Sequence, residues 1–286
     1  MHPFLLHEPL PLSSYAVMAV FGYLACVAVA TRLGHRDGIS KKAMVDITFW
    51  LLIAAIVGAR LAYLLELVPL CSGPCSLPDT ADANCAVCDD WWRFWRGGFV
   101  FYGGFVGAVL ALAVLGRRYG LRFWPTADAL APGLALAHFF GRIGCFLGGC
   151  CYGEVTTLSV GLRFPEGSLV GDGLPRHATQ LYEAGAEFVI FLLLLLWFRR
   201  RRFEGQILLG WLGLYGVVRF LIETMRGDVA RGYATRIQWP WLQELLGMPV
   251  DAAPFLSWAQ VVSLAMILLS LAVGLWLRLR HKGSRC

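Results

Sequence analysis

The chain has 286 residues, 58% of them hydrophobic and only 15% charged, with a mean hydropathy of +0.62. That balance excludes an ordinary soluble domain. The net charge of +6 needs no nucleic-acid partner, because the basic residues gather in alternate connections between apolar runs.

Runs of roughly 20 apolar residues, the length that crosses a bilayer, occur seven times. The segment before the first lacks a basic region and a small-residue cleavage site, so it is expected to stay on the chain rather than leave as a signal peptide. The first span, Tyr15–Arg32, is followed by Arg32, Arg36, Lys41 and Lys42. The second, Met44–Leu67, contains Arg60, and an outer connection over 68–98 then carries Cys71, Cys75, Cys85 and Cys88. The third, Phe99–Leu115, is followed by Arg117, Arg118 and Arg122; the fourth, Ala127–Leu147, runs into a Gly- and Cys-rich loop over 148–180. The fifth, Leu181–Phe198, ends on Arg199, Arg200, Arg201 and Arg202. The sixth, Ile207–Ile222, opens a loop over 225–257 with Arg226, Asp228, Arg231, Arg236, Trp239 and Trp241, before Trp258–Leu277 and a basic tail. Tryptophans beside a span sit at headgroup level. The positive-inside rule puts the basic connections and the C-terminus in the cytoplasm and the N-terminus outside. The expected fold is an all-α membrane protein of seven transmembrane helices, one membrane domain over 1–286.

Charged residues inside spans are expensive and mark function by default. Arg60, Arg142 and Arg219 are such residues. Tyr215, Arg219, Glu223 and Arg226 recur at helical spacing, so they share one face, where Arg219 and Glu223 would neutralise each other. That leaves Arg60 and Arg142 without a sequence-local partner. Converging guanidiniums suit a phosphate or carboxylate, which they bind bidentately, and the abundant phosphate of a bilayer is a lipid headgroup. Arg142 stands in Gly141-Arg142-Ile143-Gly144-Cys145-Phe146-Leu147-Gly148-Gly149-Cys150-Cys151-Tyr152-Gly153, whose glycines let the backbone turn or approach a ligand closely.

The outer-loop cysteines, spaced C-x3-C-x9-C-x2-C, have the look of a zinc site, but their oxidising compartment favours two structural disulfides. Cys145, Cys150 and Cys151 admit a disulfide fixing the loop beside Arg142, which the compartment favours, packed inert thiols, or a transient nucleophile, the last opposed by the poor leaving ability of a thioether. Cys26 and Cys286 are expected to be free. No metal and no cofactor is expected.

With these residues in view, the chain resembles the prolipoprotein diacylglyceryl transferase family. The resemblance runs through Tyr15, Gly58-Ala59-Arg60, Gly97-Gly98-Phe99-Val100-Phe101-Tyr102-Gly103-Gly104, the Gly141–Gly153 stretch, Arg176-His177-Ala178-Thr179-Gln180-Leu181-Tyr182-Glu183 and the Tyr215-to-Arg226 face. It implies a multi-pass enzyme of the bacterial inner membrane with its N-terminus in the periplasm. The implied reaction moves diacylglyceryl from phosphatidylglycerol to the lipobox cysteine of a prolipoprotein signal peptide, releasing glycerol 1-phosphate. The implied partners are that lipid, that signal peptide and the surrounding membrane lipid. Arg142 and Arg219 match the family's essential arginines and would hold the phosphate, with Tyr215, Arg60, Glu223 and Tyr15 completing the substrate site.

The chain departs from the family pattern at several points. Tyr102 stands where a His-Gly-Gly motif usually has histidine, Cys145 and Gly148 replace two asparagines, and Cys150 replaces a glutamate. Tyrosine, with a pKa near 10, is a weak base. His138, one turn before Arg142 on the same face, offers the missing imidazole; it either deprotonates the incoming thiol or hydrogen-bonds within the bundle. His177 reads as support for the outer loop. The alternatives are a relative that uses phosphatidylglycerol with another acceptor, a non-catalytic lipid binder, and a membrane thiol–disulfide carrier, which leaves the arginines unexplained.

Overall fold

In hydrocarbon, each backbone N–H and C=O must find its partner inside the protein, and a helix does this within one segment. A computed structural model of the chain describes residues 4–6, 12–71, 98, 100–165, 172–227, 233–237, 239–249 and 255–283. The apolar runs among them are helical: α1 (Ser14–Arg36), α2 (Lys41–Cys71), α3 (Phe101–Arg118), α4 (Phe123–Gly148), α5 (Thr179–Phe198), α6 (Gln206–Glu223) and α8 (Trp258–Gly283), with a short α7 (Pro240–Leu245) between the last two. Three antiparallel strand pairs lie outside the long helices: β1 (Phe4–Leu6) with β2 (Leu12–Ser13), β3 (Leu162–Arg163) with β4 (Pro175–Arg176), and β5 (Tyr233–Ile237) with β6 (Phe255–Ser257).

Among the described residues, six helices are long and apolar enough to cross a membrane: α1, α2, α4, α5, α6 and α8. The chain is a multi-pass membrane protein. The third expected span is helical as α3 but is not one of the six. It runs for 18 residues, the same length as α6, and ends on Arg117 and Arg118.

Side chains are distributed inside out relative to a soluble protein. Leu65, Leu196 and Leu268 are exposed, whereas Thr126, Asp128, Gln180, Glu183, Glu187 and Gln260 are buried. Lipid accepts the leucines, and the polar groups turn toward one another.

The chain divides into two compact units, Gly38–Thr126 and a second made of Met1–Asp37 with Ala127–Cys286. In the first, α2 and α3 pack backbone to backbone. A methyl on Gly58 would strike the Gly103 carbonyl, one on Gly103 would strike that of Gly58, and one on Gly107 would lie 2.5 Å from the Ala54 oxygen. This is the small-residue seam by which helices associate when lipid competes equally for apolar side chains.

The second unit uses the same device. Gly22 of α1 sits against Ala137 of α4, and Gly133 of α4 sits against Cys26 of α1. Gly216 of α6 meets the Ser263 carbonyl of α8. At one end of the unit the Asp128 carboxylate accepts N–H bonds from Gly205 (2.8 Å), Ile207 (3.0 Å) and Leu208 (3.0 Å), closing the N-terminus of α6. Asp37 and Arg201 form a bidentate pair beside it, at 2.5 and 2.7 Å. α4 runs from Asp128 to Arg142, about 21 Å at 1.5 Å per residue, and so delivers the arginine to the opposite ends of α5 and α6.

Candidate active site

Helices α4, α5 and α6, with Arg226 just beyond α6, bring six charged side chains together in the second unit. Glu183 and Glu187 are one turn apart on α5 and fully buried. Arg142 Nη2 lies 2.8 Å from Glu183 Oε1, and Arg219 Nη1 lies 3.6 Å from Glu183 Oε2. Arg219 Nη2 pairs with Glu223 Oε2 at 2.5 Å, and Arg226 Nη1 reaches the same oxygen at 3.9 Å. Ser257 Oγ donates to the other Glu223 oxygen at 3.0 Å. The three arginines and three glutamates balance in formal charge, which makes so much buried charge tolerable.

His138 is held at both ring nitrogens. Its Nε2 accepts from Arg142 Nε at 3.2 Å, so Nδ1 carries the proton and donates it to Glu187 Oε1 at 3.1 Å. Trp211 Nε1 donates to the second Glu187 oxygen at 3.4 Å. Tyr215 packs edge-on to the His138 ring and stacks on Trp211, with centroids 5.1 and 6.1 Å apart. One donor is left over: Arg219 Nη1 is buried and has no hydrogen-bond acceptor among the described residues. A buried guanidinium N–H in that state favours any anion that can reach it.

The thiols lie at the end of α4. Cys145 is in its last turn; Gly149 and Cys151 both take positive φ, 73° and 62°. That turn gathers the Sγ atoms of Cys145, Cys150 and Cys151 within 4.8 Å of one another. The loop is fixed from α5, where Gln180 Nε2 donates to the Cys150 carbonyl (2.7 Å) and Thr179 Oγ1 to that of Cys151 (2.9 Å). Hydrogen bonds from Cys145 and Cys150, reinforced by the Arg226 and Arg142 charges, hold the Cys151 thiol well below the usual thiol range in spite of its burial. Beyond it, Gly153 N–H donates to the His177 carbonyl (2.9 Å), His177 N–H to the Glu154 carbonyl (3.0 Å) and Glu154 N–H to the Met225 carbonyl (2.8 Å). His177 is buried, with Nε2 3.0 Å from the Leu246 carbonyl, in keeping with loop support. Arg176 hydrogen-bonds the exposed Asp172 and holds its carboxyl below the usual carboxylate range.

Comparison with known proteins gives this geometry its context. The family model described as prolipoprotein diacylglyceryl transferase matches residues 3–276. The chain belongs to that family. It is 33% identical over 283 residues to the phosphatidylglycerol–prolipoprotein diacylglyceryl transferase of Nitratidesulfovibrio vulgaris (strain DP4), covering 97% of this chain and 92% of the relative. The enzymes of the same name from Methylococcus capsulatus (34% identity; 85% and 88% covered) and Geobacter sulfurreducens (32%; 94% and 92%) are similar to it over comparable lengths.

For this family member, the site expected from the sequence is partly assembled in one place. Arg142, Arg219, His138, Tyr215 and Glu223 come together in the second unit. Tyr15, half-exposed at the start of α1, lies against Gly144, where an added methyl would meet its ring at 3.1 Å. Arg60 and Tyr102 belong to the first unit. There Arg60 Nη1 donates to the Gly98 carbonyl at 3.0 Å and its guanidinium lies 5.0 Å from the Tyr63 ring centre; Tyr102 is half-exposed on α3.

Two expectations change. Arg142 is not short of a partner, because Glu183 provides one across 41 positions of sequence. No disulfide joins Cys145, Cys150 and Cys151, which are free thiols, as is the buried Cys26. Of the outer-loop cysteines, Cys71 closes α2, while Cys75, Cys85 and Cys88 lie outside the described residues, as does Cys286. The sequence assigned Glu223 to the site but gave no role to Glu183 or Glu187. Their signal was visible: Glu183 and Glu187 are the acids of an otherwise apolar span, and intramembrane carboxylates carry the same functional presumption as arginines.

Proposed function

We infer that this protein transfers the diacylglyceryl group of phosphatidylglycerol to the lipobox cysteine thiol of a prolipoprotein, releasing glycerol 1-phosphate. The observation that carries the site assignment is the convergence of Arg142 and Arg219 on Glu183, with Arg219 Nη1 buried and short of an acceptor. A lipid phosphate entering there takes over donors that Glu183 holds only in part. As the thiolate attacks the glycerol carbon, the S–C bond forms and the C–O bond to phosphate breaks. The phosphate keeps the electron pair, and both guanidiniums stabilise the charge it gains; one such positioned group is worth about 10²–10³-fold in rate.

The acceptor thiol, with a free pKa near 8.5, needs a base. His138 is assigned that role through Nε2, with Glu187 orienting Nδ1–H and stabilising the imidazolium, the arrangement by which a carboxylate supports a histidine base. Tyr215 lines the phosphate site, Glu223 positions Arg219, Tyr15 and Arg60 serve substrate binding, and Tyr102 is assigned to the catalytic set. The basic connections support seven crossings, α3 included, with the N-terminus periplasmic and the C-terminus cytoplasmic in the inner membrane.

The test is transfer by the purified protein from phosphatidylglycerol to a lipobox peptide, read by peptide mass and glycerol phosphate release. Mass gain with equimolar release, lost in Arg142→Ala, is the expected result. Release without mass gain assigns a different acceptor, and no release overturns the reading. An unchanged turnover in His138→Ala removes the base assignment alone.

A further inference from the structure

The cluster Cys145, Cys150 and Cys151 has no part in the phosphate chemistry, yet it is built. Three Sγ atoms lie within 4.8 Å of one another, close to the ~3.8 Å separation that a tetrahedral ion with metal–sulfur bonds of about 2.3 Å imposes. Cys151 adopts φ 62°, a left-handed conformation that a non-glycine residue takes only when its surroundings hold it there. Gln180 and Thr179, both buried, clamp the carbonyls of Cys150 and Cys151. No side chain other than thiols is needed to complete three ligands. Thiolate sets of this kind select soft or borderline d10 cations over calcium or magnesium. Three thiolates around a divalent ion carry one net negative charge, and the Arg142 and Arg226 guanidiniums lie within electrostatic reach of Cys151.

We propose that Cys145, Cys150 and Cys151 bind a zinc-class divalent cation whose fourth position, left open by the protein, takes the acceptor thiol of the transfer reaction. The second half rests on the transferase reading above. Three protein ligands with an open fourth position is the pattern of catalytic rather than structural zinc, and a thiol that coordinates such an ion is deprotonated outright. His138, Arg142 and Cys145 recur at i, i+4 and i+7, on one face of α4. The metal-bound thiol would therefore be generated on the face that carries the phosphate site. Its proton is released to water as the thiol binds the metal. The bound sulfur then attacks the glycerol carbon, the C–O bond to phosphate breaks with both electrons going to phosphate, and the thioether product leaves the metal. The ion stays divalent throughout, and no oxidant or reductant takes part.

The experiment uses the full-length protein in detergent with Cys71, Cys75, Cys85 and Cys88 replaced by Ser, so that outer-loop thiols cannot contribute. Zinc alone is added under reducing conditions, excess is removed, and bound metal is counted by mass spectrometry alongside thiol accessibility. One zinc per chain, with three thiols protected, is expected; adding Cys145→Ser, Cys150→Ser and Cys151→Ser removes it. To guard against a misfolded triple variant, Cys151→Ser alone is expected to weaken zinc binding at least tenfold with an unchanged melting profile of the metal-free protein. Absence of a bound equivalent, or a disulfide among the three in protein purified from the periplasmic side, overturns the site. Stripping zinc with a chelator is expected to lower thioether formation at least tenfold and re-addition to restore it; unchanged turnover in the stripped protein overturns the acceptor role. Failure of transfer in every form, with the zinc count intact, refutes the transferase reading and leaves the metal site standing.

Discussion

The two ends of α4 bury the same chemistry in opposite states. At one end the Asp128 carboxylate accepts three backbone N–H bonds from the start of α6, and Arg201 and Asp37 pair bidentately nearby. At the other, Arg142 and Arg219 share Glu183, and one guanidinium N–H is buried with no acceptor among the described residues. The first end joins helices with every polar atom of the carboxylate engaged. The second keeps a donor in reserve, which destabilises the folded protein and is useful only if an anion arrives. Burial alone therefore does not identify a functional charge in a membrane. Incomplete satisfaction does.

The sharpest way to break this comparison is to remove one charge at each end. Arg142→Ala is expected to reduce transfer by at least about 10²-fold, measured by glycerol phosphate release. Asp128→Ala is expected to do the converse: losing the acceptor of three N–H groups costs about 1–3 kcal/mol for each one left buried and unpaired, seen as a lower detergent melting temperature, while the folded fraction keeps its specific activity. If Asp128→Ala protein is stable but inactive, the division between the two ends is wrong. Glu183→Gln sharpens the picture, because it removes the counter-charge from both arginines. Free glycerol phosphate is then expected to inhibit on the order of tenfold more strongly, equivalent to about 1.4 kcal/mol, while turnover falls. The smallest effect belongs to Ser257→Ala. It removes one hydrogen bond to Glu223, worth about 1.5 kcal/mol for a charged acceptor, and should change transfer severalfold at most.

What could be read from the sequence follows the range of the interactions. The apolar runs, the Tyr215–Arg219–Glu223 face and the Arg219–Glu223 pair are local, set by helical period within one segment, and the structure contains them. Arg142 stood out because its charge is costly wherever it sits in a span. Its partner did not, because Glu183 lies on another helix and spacing says nothing about which helices meet. The same limit hides Asp128 as the cap of α6, a contact spanning 77–80 positions. The thiol cluster depends on one left-handed residue, Cys151, and a β-carbon-bearing residue gives no sign in sequence that it will adopt positive φ.

The Asp128 cap also has a temporal side. Synthesis runs from the N-terminus, so α4 emerges with its carboxylate 77 positions before Gly205, the first of its three donors. At 5–20 residues per second the delay is about 4–15 s. Throughout that interval an acidic side chain must stay at the lipid–water boundary, solvated, while α5 is laid down beside it. The capping bonds thus form late, only once the start of α6 has been made.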